Sequence, residues 1–267
     1  MKMEINGNRL TEDMALEIIR QYQDQRAKLT MEQAVTQLNN HRRTILRGFK
    51  YDLTDDEQYE LHAKLIKGIA DSYMLREYAE FIVDEHNRNV LRFLTYYFNG
   101  CKLAEGVFPG EHYKIHKNIL LIGEPGTGKT LLMQVFADYL RMTRNDNAFV
   151  NISATQLMNY YKLNGHIDKY TYNEAAAKDT FDGQPVNVCL NDLGLMTEKA
   201  KSFGTELTKV TDEFLFARYE IYQQQGKRYH ITSNLSVREL KTRFEGRLVD
   251  RFKSFNVLEL RGGSRRK

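Results

Sequence analysis

Apolar residues recur at helical spacing through the first hundred residues of the chain. Thr11 is a residue type that often caps a helix, and it is followed by two acidic residues and by apolar residues three or four positions apart. Thr30 and Thr54 repeat this start signal further along. None of the three prolines, which would interrupt a helix, falls in this part of the chain. The pattern therefore predicts a helical N-terminal region with helices beginning near these three threonines.

After residue 118, short apolar runs alternate with longer amphipathic segments. The runs are rich in branched residues, as expected of strands that are buried on both faces. Strands separated by helical segments are typical of a parallel sheet covered by helices. We therefore predict an α/β fold in three layers, with a parallel five-stranded sheet flanked by helices and a separate helical N-terminal domain. The predicted domains are residues 1–85 and 86–267, and the predicted strands are 118–122, 148–152, 186–190, 228–233 and 255–260.

The charges of the chain are distributed unevenly. It carries 39 basic and 35 acidic residues, and residues 238–267 alone hold ten basic and four acidic side chains, which favours an anionic partner at the C-terminus. Two cysteines, Cys101 and Cys189, exclude a disulfide-dense scaffold and favour a reducing compartment. No apolar run has the length of a membrane span, and the first residues do not have the pattern of a secretory signal. We therefore expect a cytoplasmic protein that engages no membrane.

A glycine-rich motif, GEPGTGKT, stands between the first predicted strand and an amphipathic helix. It has the pattern G-x-x-x-x-G-K-T, in which the glycines let main-chain N–H groups surround a phosphate. The N-terminus of the following helix adds a dipole that favours an anion. Lys129 is expected to reach the β and γ phosphate oxygens, and the Thr130 hydroxyl to bind Mg²⁺. We therefore predict that ATP and Mg²⁺ bind here, the nucleotide being held by Gly123, Glu124, Pro125, Gly126, Thr127, Gly128, Lys129 and Thr130.

A carboxylate for the metal is expected at the end of a neighbouring strand, and the segment VNVCLNDLG contains one. Asn191 precedes Asp192 at a place where a pair of acidic residues would be expected. If Asn191 occupies the metal position, it offers a neutral carbonyl oxygen, and Asp192 orients the attacking water. If Asp192 serves the metal, no adjacent acid remains for the water. Thr130, Asn191 and Asp192 are therefore the candidate metal residues, and both interpretations predict slow or conditional hydrolysis.

Polar residues of the last third of the chain could complete the site. Asn234 follows the strand RYHITS, which we expect between the P-loop strand and the acidic strand, so that Asn234 contacts the γ-phosphate or the attacking water. Arg247 and Arg251 lie four residues apart on one helix face, from which a guanidinium could reach the γ-phosphate of a neighbouring subunit. Alternatively, these arginines are solvated or pair with Asp250 or Glu245.

Two further segments could contact anions. The C-terminal GGSRRK places Arg265 and Arg266 after flexible glycines, where they could contact ATP in the same subunit or form a basic tail on nucleic acid. Between residues 160 and 172, tyrosines alternate with lysines and a histidine. These tyrosines could stack on single-stranded DNA or pack in the core. The sequence leaves both alternatives open for each segment.

The order of these motifs resembles that of AAA+ ATPases, in the branch of DnaC-type helicase loaders and IstB-type transposition helpers. The resemblance covers about residues 86–267 and rests on GEPGTGKT, LNDLG, ARYE, ITSNL, GRLVDRF and G-x-S-x-R in that order. It implies that the chain forms homo-oligomers when ATP is bound. It also implies that single-stranded DNA binds near a central channel of the oligomer. It also implies roles for individual residues: Walker A for the P-loop, Walker B for Asn191 and Asp192, sensor 1 for Asn234, arginine finger for Arg251 with Arg247 as the second candidate, and sensor 2 for Arg266.

One feature departs from the pattern of this family. Asn191 stands where the family has its metal-binding Asp, which predicts weak or conditional hydrolysis. Sixteen residues follow Arg251, enough for one strand and a tail, so we expect no C-terminal helical lid of the kind common in other AAA+ branches. This expected absence agrees with the loader branch.

The resemblance and the P-loop together predict an ATP-controlled loader of a replicative DNA helicase. In this hypothesis the N-terminal domain binds the helicase, while the C-terminal domain assembles on ATP and engages single-stranded DNA. ATP binding and slow hydrolysis then act as an assembly switch. A transposition helper that recruits a transposase is an alternative, and so is a nucleotide-binding adaptor with little turnover, which Asn191 suggests.

Overall fold

A computed structural model of the chain describes residues 11–28, 51–75, 78–172, 185–194, 201–202, 205–244 and 246–265. The described residues form two compact units. The first lies within Met1–Ile115 and Gln134–Ala148, and the second lies within His116–Met133 and Phe149–Lys267. The domain boundary at residue 85 stays a prediction.

The described part of the first unit is helical, and its first helix begins where the sequence predicts. The Oγ1 atom of Thr11 accepts a hydrogen bond from the amide of Met14 at 3.3 Å, which confirms Thr11 as a helix cap. The helix predicted to start at Thr30 lies outside the described residues. Helices α1 (Glu12–Lys28), α2 (Asp56–Met74) and α3 (Arg88–Phe98) are followed by a short 3-10 helix at Lys102–Gly106.

Helix α2 begins one residue later than the start signal at Thr54 predicts. Its N-cap is Asp55, whose carboxylate accepts a hydrogen bond from the amide of Glu57 at 3.0 Å. Thr54 instead donates through its hydroxyl to Asp52 at 2.8 Å. Both residue types can cap a helix, but the carboxylate also gains from the positive end of the helix dipole. The prediction of Thr54 as the cap is therefore wrong by one position.

A buried polar network lies inside the first unit. Asn99 donates from its amide nitrogen to the hydroxyl oxygen of Tyr139 at 2.7 Å, and Asn145 donates to the side-chain oxygen of Asn99 at 2.8 Å. The hydroxyl hydrogen of Tyr139 is thereby left to donate to Nδ1 of His62. Because burial lowers the pKa of His62 to about 4, the imidazole accepts this bond in its neutral form.

Lowering the pH from about 6.5 to 4 is expected to destabilise the fold through His62. The pKa of His62 in the folded chain, about 4, lies below its ordinary value of 6.5, so the unfolded chain takes up a proton first. The contribution is full above pH 6.5, and about 3 kcal/mol is lost by pH 4. Urea unfolding between pH 4 and 7 should show a shallower pH dependence for His62→Gln, which keeps an acceptor but cannot titrate.

The exposed His112 provides the control for this measurement, since His112→Gln removes an imidazole from the surface. Its free energy of unfolding should follow the native curve at every pH. Parallel curves for the native chain and His62→Gln would contradict the prediction.

The second unit is built on a parallel sheet. The strands are β1 (Asn118–Ile122), β2 (Phe149–Ser153), β3 (Asn187–Leu193), β4 (Lys201–Ser202), β5 (Thr205–Glu206), β6 (Tyr229–Ser233) and β7 (Phe255–Glu259). Five of them pair in the order β2-β3-β6-β1-β7, all parallel, while β4 and β5 form a small antiparallel pair. The five predicted strands are confirmed, and the largest difference is at β3, which extends to residue 193 instead of 190.

Helices flank the strands of this sheet in the sequence and bury it. Leu120, Leu190 and Ile231 from the strands pack in one core with Leu157 and Phe214 from helices. This confirms the predicted α/β fold. Among the helices that the structure describes, none has both the length and the apolar character needed to cross a membrane. The helices after β1 are α4 (Lys129–Met142), whose residues up to Met133 belong to the second unit, then α5 (Ala154–Asn164), α6 (Leu207–Gln225), α7 (Val237–Arg243) and α8 (Gly246–Arg251). Short 3-10 helices lie at Asp168–Tyr170 and Phe252–Ser254.

The strand register brings the polar strand ends to one edge of the sheet. Ile122, the last residue of β1, lies opposite Ser233 of β6, and Ser233 also lies opposite Leu193 of β3. Ser153 of β2 lies opposite Asn191 of β3. Because these strands are parallel, the segments that follow them leave the sheet at the same edge.

Candidate nucleotide-binding site

The P-loop connects β1 to α4 with a backbone that requires glycine. Gly126 and Gly128 have φ angles of +84° and +97°, in the left-handed region that other residues rarely adopt. The Thr127 hydroxyl donates to the carbonyl of Glu124 at 2.9 Å and closes the turn. A loop of this shape, ending at a helix N-terminus, presents main-chain N–H groups to an anion. The loop therefore fits the phosphates of a nucleotide.

The ammonium group of Lys129 lies inside this loop. It donates to the carbonyls of Gly123 and Glu124 at 2.7 and 2.8 Å, and the side chain of Thr127 is 3.4 Å away. Only 4% of Lys129 is exposed. The two carbonyls carry no net charge, and they hold the positive charge of the ammonium group at the loop. Such a charge suits the oxygens of a phosphate.

Asp192 is the acid that faces the P-loop helix. The Thr130 hydroxyl donates to its Oδ1 atom at 3.2 Å. Asp192 has a φ angle of +63°, and the pairing of β3 with β6 shifts register between Leu190 and Leu193. Because of this irregularity, the Asp192 side chain does not follow the regular alternation of side chains along the strand. A hydroxyl and a carboxylate oxygen at this separation are the hard oxygen donors that Mg²⁺ prefers, so the pair fits the predicted metal.

Asn191 makes its contacts in a different place. Its side chain donates to Asn151 at 2.8 Å and accepts from the Thr232 hydroxyl at 3.3 Å. The residue is 3% exposed. Of the two interpretations of this pair, the geometry supports the one in which Asp192 serves the metal. The roles of both residues stay predictions.

Asn234 directly follows β6, which pairs with both β1 and β3 in the sheet. The predicted place of this strand, between the P-loop strand and the acidic strand, is confirmed. Asn234 therefore leaves the sheet at the same edge as the P-loop and Asp192. Its contact with a γ-phosphate or a water stays a prediction.

The C-terminal segment runs along the P-loop. The amide of Leu260 donates to the carbonyl of Ile122 at 2.8 Å, and the amide of Arg265 donates to the carbonyl of Gly126 at 3.0 Å. A Cβ atom added at Gly126 would lie 2.3 Å from the hydroxyl oxygen of Ser264. The tail is thus held against the predicted nucleotide site. Arg266, the predicted sensor 2 residue, lies outside the described residues.

Arg251 packs on aromatic side chains of α6. The guanidinium carbon is 4.3 Å from the centre of the Phe216 ring and 4.4 Å from that of Tyr219. Its Nη1 atom also donates to the carbonyl of Phe216 at 3.4 Å. Arg247 is exposed, and Asp250 bonds to Lys253. The role of arginine finger stays a prediction for both arginines.

The tyrosines near residue 165 divide between the core and the surface. Tyr161 is buried in the core, whereas Tyr160 and Tyr170 are half-buried with ring centres 5.2 Å apart. The ammonium of Lys169 lies 5.5 Å from the centre of the Tyr160 ring and 5.8 Å from that of Tyr170. The core interpretation therefore holds for Tyr161, and a basic aromatic cluster remains at the surface.

Three residues of the site were missed by sequence reasoning: Asn151, Thr232 and Ser264. The first two stand inside predicted strands, in the runs AFVNI and RYHITS. A polar side chain in a strand that is buried on both faces needs a partner, and this was the available signal. Ser264 is an ordinary tail residue and gave none.

Comparison with known proteins identifies one family. The family described as ATPase family associated with various cellular activities (AAA) matches residues 119–254, about half of the chain. No curated protein sequence matches the chain.

Three solved structures are similar to part of the chain. The chain is 20% identical to an AMPPCP-bound DnaA from Aquifex aeolicus, with 67% of this chain and 48% of that chain covered and a TM-score of 0.45. For a DnaC helicase loader the identity is 17%, the coverage 68% and 93%, and the TM-score 0.44. For a DNA replication initiation factor the identity is 21%, the match covers 67% of this chain and 47% of that chain, and the TM-score is 0.40. The chain spans about half the length of the DnaA structure, and likenesses at this level carry no conclusion about activity.

Proposed function

Because the chain belongs to the AAA ATPase family, we propose that it loads a replicative DNA helicase onto single-stranded DNA under the control of ATP. Membership of this family makes the chain a P-loop ATPase. The observation that carries the proposal is the P-loop with its buried Lys129 and the contact between Thr130 and Asp192. The order of the motifs after the P-loop resembles the branch that contains helicase loaders and transposition helpers, and of these two we propose the loader. We propose that the protein acts in the cytoplasm.

In this proposal the P-loop amides and Lys129 hold the β and γ phosphates, and Thr130 and Asp192 hold Mg²⁺. Bound Mg²⁺ neutralises negative charge on the phosphate oxygens. Asn234 contacts the γ-phosphate or the attacking water from the neighbouring strand end. With Asp192 turned toward Thr130, Asn191 offers no second carboxylate to orient water, so hydrolysis is slow. ATP therefore acts mainly by binding.

The arginines of α8 connect ATP binding to assembly. For Arg251 to reach the γ-phosphate of a neighbouring subunit, its guanidinium must leave the rings of Phe216 and Tyr219. A cation at such rings is held by about 0.5 to 2 kcal/mol, which a triphosphate can exceed. Arg247 is exposed on the same short helix and is the second candidate. The subunits thus form a homo-oligomer when ATP is bound.

The surface cluster of Tyr160, Lys169 and Tyr170 is the proposed contact for single-stranded DNA. Its half-buried rings offer faces on which bases can stack, and the ammonium of Lys169 can neutralise the phosphate backbone. The excess of ten basic over four acidic residues between 238 and 267 adds positive charge to the same unit. In this proposal the helical N-terminal domain binds the helicase.

Co-purification with the hexameric replicative helicase of the same organism tests the proposal. The full chain should retain the helicase and bind fluorescent single-stranded DNA more tightly with ATP than without it. Tyr160→Ala should weaken DNA binding about tenfold, since stacking contributes about 1 to 3 kcal/mol per base. Tyr78→Ala, which removes a fully exposed ring that is not part of the cluster, is the control and should bind DNA like the native chain.

Two outcomes would replace this proposal. Retention of a transposase in place of the helicase would support a transposition helper of the IstB type. Binding of ATP without any hydrolysis, even with helicase and DNA present, would support an adaptor, for which Asn191 is the motivating observation.

A further inference from the structure

We propose that Asn191 is a positioning residue that acts with Asn151 and Thr232 to hold the carboxylate of Asp192 against Thr130. This inference rests on the proposed ATPase site. It assigns to Asn191 a function that an aspartate in the same place could not perform, and it gives Asn151 and Thr232 a part in the binding of magnesium.

The donor and acceptor of each hydrogen bond among Asn151, Asn191 and Thr232 can be assigned from the end of the chain of bonds at Met133. The carbonyl of Met133 can only accept, so Asn151 presents its amide nitrogen there, at 3.2 Å, and its oxygen to Asn191. Asn191 therefore presents its nitrogen to Asn151, at 2.8 Å, and its oxygen to Thr232. The Thr232 hydroxyl donates to that oxygen at 3.3 Å and accepts from the amide of Asp192 at 2.9 Å.

The end of this chain of bonds is a residue in an unfavourable conformation. Asp192 has a φ angle of +63°, in the left-handed region that residues other than glycine adopt uncommonly, although aspartate tolerates it better than most. The ladder between β3 and β6 is interrupted between Leu190 and Leu193. At this interruption the amide of Asp192 donates a hydrogen bond to the hydroxyl of Thr232, a fully buried residue. The side chain of Asp192 is then aimed at Thr130.

An aspartate at position 191 would break the chain of bonds. A carboxylate cannot donate to the oxygen of Asn151. If Asn151 turned its amide over to donate to the carboxylate, its oxygen would face the carbonyl of Met133. Either arrangement leaves an acceptor without a donor and adds a buried negative charge close to Asp192. Asn191→Asp therefore does not restore a second catalytic acid.

The network has a measurable consequence for Mg²⁺. The partners that orient a metal ligand commonly change metal affinity by about ten- to a hundredfold when they are removed. Nucleotide binding without metal depends on the P-loop amides and Lys129, whereas the network acts through Asp192 on Thr130, the pair proposed to hold the metal. Loss of the Thr232 hydroxyl should therefore weaken ATP binding in the presence of Mg²⁺ and not in its absence.

The test compares Thr232→Val, which has the same shape without the hydroxyl, with Thr232→Ser, which keeps it. The affinity of the full chain for a fluorescent ATP analogue is measured by titration in MgCl₂ and in EDTA. Thr232→Val is expected to lose about tenfold in MgCl₂ and less than about twofold in EDTA. Thr232→Ser is expected to stay within about twofold of the native chain in both. Asn191→Asp should show the same split as Thr232→Val, with no gain in hydrolysis.

Three results would overturn the inference. If Thr232→Val binds the ATP analogue in MgCl₂ as tightly as the native chain does, the hydroxyl plays no part in metal binding. If its affinity falls equally in MgCl₂ and in EDTA, the effect of the substitution is a general structural one. Faster hydrolysis by Asn191→Asp would show that a second acid is tolerated there. If Thr232→Val does not fold, Asn151→Ala interrupts the same chain at a half-buried position and must show the same split. Absence of ATP binding by the native chain would instead refute the proposed function.

Discussion

Replacing Lys129 by alanine is expected to lower the affinity for ATP by at least about a hundredfold. The ammonium group is buried in the P-loop and bonded to the carbonyls of Gly123 and Glu124. A phosphate oxygen that replaces these partners forms a charge-assisted hydrogen bond, and each such bond contributes about 1.5 to 3 kcal/mol. Two bonds to the β and γ phosphates account for the expected loss. Isothermal titration with ATP and MgCl₂ measures it directly.

Lys162→Ala is the matched control for this variant, because it removes the same charge from an exposed position in the same unit. Its affinity for ATP should equal that of the native chain. If Lys129→Ala binds ATP as tightly as Lys162→Ala does, the P-loop is not the nucleotide site, and the ATP-controlled assembly loses its basis.

Asp192→Asn is expected to reduce ATP hydrolysis on the order of a hundredfold while ATP binding in EDTA stays unchanged. The substitution preserves the size of the side chain and an oxygen that can accept from the Thr130 hydroxyl. It removes the negative charge that the metal position requires. Since Asn191 supplies no carboxylate, the charge at Asp192 has no substitute in this pair. Single-turnover hydrolysis with helicase and single-stranded DNA present measures the loss.

Asp250→Asn serves as the control, because Asp250 is an exposed carboxylate bonded to Lys253 on the same unit. It should hydrolyse ATP at the native rate. Native hydrolysis by Asp192→Asn would exclude Asp192 from the metal site. Together with the affinity of Lys129→Ala, this measurement separates the binding of the nucleotide from its turnover.

The strands of the sheet could be predicted because they are largely buried and so appear in the sequence as short runs rich in apolar residues, of which β1 is buried at all five positions. β1, at residues 118–122, was predicted at its observed limits. The P-loop was equally visible, since its chemistry depends on glycines and a lysine that are adjacent in sequence. The start of α2 was less so, because Thr54 and Asp55 can both cap a helix and their geometry decides between them.

Tertiary structure decided which of the two residues Asn191 and Asp192 contacts Thr130, while their roles stay predictions. Side chains alternate in direction along a strand, but the irregular pairing of β3 with β6 changes which one faces the P-loop helix. At this irregularity the hydroxyl of Thr232, forty residues away in sequence, accepts a hydrogen bond from the amide of Asp192, and no local pattern reveals this contact. The sequence left both interpretations open for this reason.

Sequence alone determined the fold class, the nucleotide loop and the strand ends on which the site is built, because these depend on apolar burial and on neighbouring residues. The tertiary structure decided that Asp192 faces Thr130 and that Arg251 lies on the rings of Phe216 and Tyr219. It also decided that the C-terminal tail bonds to the carbonyl of Gly126 in the P-loop. Each of these is a contact between residues far apart in the chain, and the direction of a side chain in such a contact is set by packing and hydrogen bonding that a one-dimensional pattern does not contain.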